Sequence, residues 1–287
     1  MSLRRRLRDN VFWALCLLAF ALIVAPALSV LVSVFHQAAP AFSLDLFTKP
    51  TAGDHGGLSN AILGTLMLLL GVLIIAGTVG VCAGVYLAEF SSPKIGRVLR
   101  FFSEVLAGMP SIVIGYVGYL SLVVGLHWKY SLMAALLALS VLVVPYIVKT
   151  TEVALNSVPS ALREASAAMG LSRGVTVGRI LLPTAVPGIV SGLIIALAIS
   201  TGETAPLLFT AGFLDGHNPT FHLLGHPVPY LTYVTFTDLT LPNTATSHPH
   251  ELAAAAGAVT LIILIILIAL GRMIAGRARR KTARMAL

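Results

Sequence analysis

An acidic side chain lies within one of the most apolar stretches of this sequence. Glu203 stands in the run STGETAP, with Gly202 and Thr204 beside it and Pro206 three residues further on. A carboxylate at membrane depth is costly unless it faces a polar cavity or a cationic partner. We therefore expect these four residues to line a translocation pathway. The alternative is a glutamate that is protonated or paired with a cation only to hold helices together.

A second group of polar side chains consists of histidines in the segment 215–250, which contains no Lys or Arg. The residues are His217, His222, His226, His248 and His250. Imidazoles bind metals, but these spacings match no standard metal motif. We interpret the segment as a polar loop that contacts water or a binding protein, with a metal site as the alternative.

The sequence lacks the motifs of several enzyme classes. It contains no G-x-x-x-x-G-K-[ST] phosphate loop, no H-E-x-x-H metal motif and no G-x-S-x-G nucleophile turn. This predicts a chain that is not an enzyme and binds no cofactor itself. If the chain takes part in active transport, the energy must then come from another subunit.

A polar segment, EASAAMGLSRGVTVGRILLP, occupies residues 164–183. The Pro-Ser pair at 159–160 suits a helix start, and Gly170 is placed to end that helix, because Gly adopts a left-handed C-terminal cap without steric cost. We expect a second short helix from about Ser172 and a long helix that begins at Pro183. A stripe of alanines would let another protein approach the first helix closely. The alternative is a plain surface loop.

These residues must be positioned by helices that cross a membrane. Hydrophobic residues make up 57% of the 287 and charged residues only 10%, which is typical of polytopic membrane proteins and not of soluble domains. Six stretches are long enough for a hydrocarbon core that needs about 20 apolar residues. They lie near residues 11–34, 60–88, 101–125, 131–148, 184–214 and 252–271.

The fifth stretch is longer than a membrane requires. Residues 184–214 would extend about 46 Å as a straight helix, and Gly202, Pro206 and Gly212 lie in their second half. We expect a break or re-entrant turn between Gly202 and Pro206. Such a break frees backbone groups, which must line a cavity or be buried in protein.

Basic residues are distributed unevenly between the two predicted sides of the membrane. Seventeen of the 19 lysines and arginines fall in the N-terminal segment, the 89–100 loop, the 149–183 loop and the C-terminal tail, which leaves only Lys49 and Lys129 for the other side. Because Lys and Arg are retained in the cytoplasm, both termini and the 164–183 segment are predicted to be cytoplasmic. The net charge of +8 then follows from topology, and binding of nucleic acid is not expected.

The spans and loops divide the chain into three regions. Residues 1–56 form a retained N-terminal anchor helix and an outer loop, residues 57–271 form one helical membrane domain, and residues 272–287 form a basic cytoplasmic tail. The membrane domain contains the polar loop at 158–183 and an outer insertion at 215–250.

The 164–183 segment resembles the EAA loop of ABC importer permeases, whose pattern is E-A-A, three residues, Gly, nine residues and I-x-L-P. The matching residues are Glu164, Ala165, Gly170, Ile180, Leu182 and Pro183, with Ser166 in place of the second alanine. The resemblance implies that these seven residues couple the chain to an ATPase. The loop would insert into a cleft on that subunit and pass its motion to the membrane helices.

The run GETAPLLFT at 202–210 looks like the signature of the A-type permeases of phosphate-specific ABC importers, the PstA family. Further local patterns of that family stand at 62–66, 86–90, 108–113 and 158–165, and the resemblance covers about residues 57–270. One position departs from the family pattern. Members commonly carry an Arg four residues before the Glu, where this chain has Ile199, which leaves the paired permease to supply that cation.

The resemblance implies an all-α integral membrane protein with six transmembrane helices and the type I ABC importer permease (MetI-like) fold. The chain would reside in the bacterial plasma (inner) membrane as one permease subunit for inorganic phosphate. Its partners would be a second, homologous permease, an ATPase dimer and an extracytoplasmic phosphate-binding protein. The alternatives are a permease for another oxyanion, such as sulfate or molybdate, and a membrane enzyme or scaffold with no transport role.

Overall fold

The computed structural model describes residues 3–51, 56–213, 216, 218–219, 224–240 and 249–285, and every regular element in these ranges is helical. The α-helices are α1 (Leu3–Ala38), α2 (Leu44–Thr48), α3 (Ser59–Val85), α4 (Pro93–Gly108), α5 (Ser111–Gly118), α6 (Leu132–Asn156), α7 (Ser160–Ala168), α8 (Arg173–Thr176), α9 (Leu182–Gly202), α10 (Ala205–Thr210), α11 (Leu231–Thr240) and α12 (Pro249–Met285). Wider π-helical turns extend α3 at Tyr86–Phe90 and α5 at Tyr119–Gly125, and a third at Val177–Leu181 joins α8 to α9.

Five helices in the described ranges are long and apolar enough to cross a membrane, or six if one bent pair counts as a span. The five are Asp9–Ala41, Ser59–Phe90, Leu132–Asn156, Arg173–Gly202 and Glu251–Arg277. The prediction of an all-α membrane protein is confirmed with five to six candidate spans, and the bent pair corresponds to the third of the six predicted spans.

The third predicted span is not one straight helix over 101–125. Helices α4 and α5, the latter with its π-helical extension, form a pair bent by 100°. The bend occurs at Met109 and Pro110, both of which have extended ψ angles. Proline explains it, because its ring disfavours the helical conformation of the preceding residue and it has no N–H to continue the ladder.

The fifth span begins earlier than predicted. Its helix starts at Arg173 and not at Pro183, and it continues without interruption to Gly202. Pro183 is accommodated because the ladder widens just before it: the N–H of Leu182 donates to the carbonyl of Val177, five residues back. The predicted break between Gly202 and Pro206 is confirmed, since α9 ends at Gly202 and α10 starts at Ala205.

Three clusters of buried side chains follow one another along the bundle. The central cluster joins α3, α6, α9 and α10 and includes Leu139 and Val143. A second cluster, around Leu231, joins α2, α3, α11 and α12, and we call this the α2 end of the bundle. The third, which includes Leu155 and Leu181, joins α6 and α9 beside α7, and we call this the α7 end.

The two ends of the bundle differ in charge. Helix α1 runs from the α7 end to Ala38 in the α2-end cluster, and α12 runs from that cluster back to the α7 end. Both basic terminal segments therefore lie at the α7 end, together with the basic residues of α4 and of the 149–183 loop. Lys49 directly follows α2, and Lys129 lies three residues before the start of α6, at the α2 end.

Candidate functional site

The polar loop folds into a short helix with a glycine cap, as predicted. Gly170 has a φ of +71°. The N–H of Leu171 donates to the carbonyl of Ser166 at 3.1 Å, and the N–H of Gly170 donates to that of Ala167 at 3.0 Å. These two bonds form a Schellman motif, which satisfies the free carbonyls at the end of α7. The helix starts at Ser160, but Pro159 occupies the N-cap position and no side chain caps α7.

Helix α7 presents a mixed apolar and acidic surface. Glu164, Ala165 and Gly170 are exposed, and Met169 is 66% exposed. Ser166, in contrast, is buried, and its hydroxyl donates to the carbonyl of Leu162 at 2.6 Å. The serine in the EAA pattern therefore packs inward, so that the exposed alanines and Glu164 remain available to a partner.

The second part of the predicted EAA set lies on a different element. Ile180 is in the π-helical turn before α9, and Leu182 and Pro183 begin α9. The first two are half-buried and Pro183 is exposed. Helix α7 contacts this turn, so the seven residues occupy two adjoining segments, of which only the α7 residues present a continuous exposed face.

An arginine on α7 fixes this helix to two membrane spans. Arg163 Nη1 forms an ion pair with Glu89 Oε1 at 2.5 Å, and Nη2 donates to the carbonyl of Leu155 at 2.9 Å. Glu89 terminates the α3 span, and Leu155 lies in the last turn of α6. Sequence reasoning assigned neither charged residue to a site, because the two are 74 positions apart and each looks like an ordinary residue at a membrane interface.

The break in the long span exposes backbone groups at membrane depth. Glu203 is extended, with a ψ of 130°, and Pro206 stands at the start of α10. The carbonyl of Glu203 has lost its helical donor and instead accepts a hydrogen bond from the Thr232 hydroxyl at 3.1 Å. This contact ties the break to α11 and satisfies a group that lipid could not.

Glu203 is one of ten residues that line a small cavity between α3, α6, α9, α10 and α11. Its polar lining consists of Thr65, Ser200, Thr201, Glu203, Tyr230 and Thr232. The cavity measures about 10 Å³, room for roughly one water molecule. A cavity of this size has no room for a phosphate ion in this conformation.

Two of the residues that line this cavity have polar groups without partners among the described residues. The Tyr230 hydroxyl is buried without a hydrogen bond, and the ion pairs of the described residues do not include Glu203. Sequence reasoning missed Tyr230 and Thr232, since both lie in the insertion at 215–250 that was interpreted as a loop. The chain there folds back into the bundle, where the N–H of Leu231 donates to Thr65 Oγ1.

The other predicted pathway residues form the break and do not line the cavity. Gly202 is exposed, Thr204 is half-buried and Pro206 is buried. Pro206 packs directly on α5, where a Cβ added to Gly115 would come within 2.6 Å of the proline Cα. Ile199 lines a separate, open groove of about 740 Å³ between α9 and α12.

The histidine segment is only partly described. His226 is exposed, and its carbonyl accepts from the N–H of Leu132 at 2.9 Å, while the side chains of the other four histidines lie outside the described residues. Among residues with described side chains, no group of three or more His, Cys, Asp or Glu could hold a metal ion.

Comparison with known proteins identifies the family of this chain. Residues 80–280 match the family described as the binding-protein-dependent transport system inner membrane component. The chain belongs to this family. Members are multi-pass membrane components of transporters and not enzymes, which agrees with the prediction from the missing catalytic motifs.

The most similar relatives that we compared belong to one group within this family, the PstA permeases. The chain is 44% identical over 281 residues to "Phosphate transport system permease protein PstA 2" of Mycobacterium bovis, an alignment that covers 98% of this chain and 92% of the relative. It is 35% identical over 261 residues to the "Phosphate transport system permease protein PstA" of Pasteurella multocida, which covers 90% and 86% of the two chains. The resemblance to the PstA family is thereby confirmed.

Solved structures confirm the fold. A chain of a bacterial alginate ABC transporter in complex with a periplasmic protein superposes with a TM-score of 0.66 at 16% identity, over 96% of each chain. A chain of the inward-facing MetNI methionine ABC transporter superposes with a TM-score of 0.63 at 20% identity, over 77% of this chain and 97% of that one. The chain therefore has the type I importer permease fold.

Proposed function

We propose that the chain is a permease subunit of an ABC importer and forms, with a partner, the translocation pathway for inorganic phosphate. The observation that carries this proposal is the break at Glu203, where Glu203 and Tyr230, whose hydroxyl is buried without a hydrogen bond, line one small cavity within the apolar bundle. Intramembrane ionisable groups of this kind mark transport pathways. The 44% identity to a permease named for phosphate transport supports phosphate as the cargo.

The second subunit would be a homologous permease. Glu203 forms no ion pair with any described residue of this chain, and a carboxylate repels an anion unless a proton or a cation intervenes. A pathway between two permeases allows the partner to supply that cation. Phosphate itself would be delivered by an extracytoplasmic binding protein at the α2 end.

An ATPase dimer would dock at the α7 end, with ATP and Mg bound entirely by that dimer. The exposed face of α7, with Glu164, Ala165 and Met169, combines small residues, one large apolar side chain and one charge. Small residues allow a helix to seat deeply in a groove. ATP binding would close the dimer and move α7, and hydrolysis would reset it. Residues 57–271 would form the permease domain, flanked by the anchor region 1–56 and the tail 272–287.

In this arrangement the α7 end and both termini are cytoplasmic, and this orientation predicts a difference in labelling. In a Cys-free background, Ser43→Cys should react with a membrane-impermeant thiol reagent added to whole cells, whereas Ser172→Cys should be protected. The two serines are matched: both are exposed N-cap residues whose side chains make no capping bond. Permeabilised cells should label both, and the reverse pattern in intact cells would overturn the orientation.

The proposed cargo is tested by uptake in reconstituted vesicles. The chain copurified with its partner permease, ATPase and binding protein should accumulate labelled phosphate only with ATP on the ATPase side. An excess of unlabelled phosphate should abolish accumulation of the label, and sulfate or molybdate should not. Competition by sulfate or molybdate equal to that by phosphate would assign another oxyanion, and ATP hydrolysis without uptake of any of them would exclude a transport role.

A further inference from the structure

Two ion pairs with buried carboxylates at the α7 end connect four different elements. One pair joins Arg163 of α7 to Glu89 at the end of the α3 span, and the other joins Arg100 of α4 to Glu152 of α6. We call these four residues the joint. They are not among the residues that the EAA resemblance assigns to ATPase docking.

The two arginines bind in a reciprocal pattern. Arg163 contacts a carboxylate of the α3 span and the backbone carbonyl of Leu155 in α6. Arg100 contacts the carboxylate of Glu152 in α6, at 2.7 Å, and the backbone carbonyl of Leu87 in the α3 span, at 3.3 Å. Each guanidinium therefore bridges the same two spans, once from α7 and once from α4.

Because the carboxylates are buried, they cannot easily separate from their arginines. The side chains of Glu89 and Glu152 are 5% and 8% exposed, whereas Arg163 and Arg100 are 32% and 38% exposed. A buried carboxylate that loses its cation is strongly disfavoured, so each carboxylate must follow its arginine when a helix moves. The planar guanidinium serves two acceptors at once, which the single ammonium of a lysine does less well.

Beyond the joint, packed elements continue to the Glu203 cavity. Helix α4 leads through the bend at Pro110 into α5, and α5 lies against α10, where Gly115 leaves room for the backbone of Pro206. The two spans that the arginines bridge also reach the cavity directly, because Thr65 of α3 and Leu139 of α6 line it.

From this geometry we infer that Arg163 and Glu89, supported by Arg100 and Glu152, are the positioning residues that transmit ATPase movement to the Glu203 cavity. Displacement of α7 pulls Arg163, which moves the ends of α3 and α6 together. Arg100 passes the same movement to α4 and α5, and α5 shifts the break at α10. This inference rests on the proposed docking of an ATPase at α7, but not on phosphate being the cargo.

The test uses the full complex in vesicles and measures three quantities: ATP hydrolysis, its stimulation by the binding protein, and ions transported per ATP. Arg163→Lys retains the charge beside Glu89 and gives up the second contact. It should assemble and hydrolyse ATP, while transport per ATP and stimulation by the binding protein fall about tenfold, as expected for loss of one hydrogen bond to a charged group. Arg97→Lys, the same substitution at an exposed residue of α4 that forms none of the ion pairs of the described residues, should change none of the three.

A second set of variants separates transmission from folding. Glu89→Gln leaves Arg163 without its counter-charge and should lower transport per ATP more than the double variant Glu89→Gln, Arg163→Gln, in which two neutral amides face each other. If Glu89→Gln does not assemble, the double variant is compared with the unmodified complex instead, again by the number of ions transported per ATP. A lower number in the double variant supports the inference, and an unchanged number contradicts it.

Unchanged transport per ATP and unchanged stimulation in Arg163→Lys, or equal proportional loss of all three quantities, would overturn the inference. If the unmodified complex shows stimulation but moves no phosphate, the proposed cargo is wrong. The joint is then still tested by the stimulation alone.

Discussion

Replacement of Glu203 by Gln should abolish most phosphate uptake while the complex still assembles and hydrolyses ATP. Glutamine keeps the shape and hydrogen-bonding capacity of the side chain but removes its charge. Because no described residue pairs with the carboxylate, its removal leaves no buried cation behind within this chain, and folding should be little affected. We expect uptake to fall about tenfold to a hundredfold, the loss associated with one hydrogen bond to a charged group.

The matched control for this variant is Asp9→Asn. It removes the same charge by the same kind of change, but at an exposed residue of α1 that forms none of the ion pairs of the described residues. Uptake by this control should equal that of the unmodified complex. Normal uptake in Glu203→Gln would show that the charge is dispensable. Failure of Glu203→Gln to assemble would favour the alternative of a glutamate that only holds helices together.

Features governed by local backbone chemistry could be predicted from the sequence. The cap at Gly170 follows from the conformational freedom of one glycine at a fixed distance from a helix start, and the structure has it there, with a φ of +71°. The break at Glu203 follows in the same way from a glycine and a proline in an overlong apolar run. In both cases residues within one or two helical turns decide the outcome.

The two errors in the predicted helices, in the third and fifth spans, both occur at prolines. Packing against distant residues decides how each proline is accommodated. Pro110 bends the third span by 100°, which an average of hydrophobicity over 25 residues does not detect. The sequence predicts a helix start at Pro183, yet the wider turn at Val177–Leu181 carries the helix past it. A proline indicates that the hydrogen bonds of a helix must change at that position. It does not indicate whether the helix bends, ends or forms a wider turn there.

Contacts between distant parts of the chain could not be predicted at all. Arg163 reaches Glu89 across 74 positions, and Thr232 reaches Glu203 across 29. The second contact is the more instructive one. Hydrophilic residues and unusual length made the insertion at 215–250 look like an outer loop, whereas Tyr230 and Leu231 are fully buried in the bundle. Tyr230 and Thr232 therefore line the cavity although the composition of their segment predicts an outer loop.

The cap of α7 at Gly170 is the site of the second large expected effect. Gly170→Val should weaken retention of the ATPase and lower phosphate uptake, each by roughly tenfold, because a side chain in the left-handed region costs about 1–2 kcal/mol and valine is branched at Cβ. The cause is conformational and not steric, since a Cβ at Gly170 would meet nothing within 4 Å. A pull-down of the ATPase from detergent extracts and an uptake assay measure the two effects.

A neighbouring glycine provides the control. Gly174 also has open space around its Cβ, but it lies in α8 and is not among the glycines with positive φ. Gly174→Val therefore adds the same side chain to the same loop without backbone strain. Gly170→Asn should restore most of the loss, because asparagine tolerates the left-handed conformation. If Gly170→Val retains the ATPase as well as Gly174→Val does, the Schellman cap is not what holds α7 in its docking position. The rigid connection to the bundle would then have to come from Arg163 and its contacts with Glu89 and Leu155.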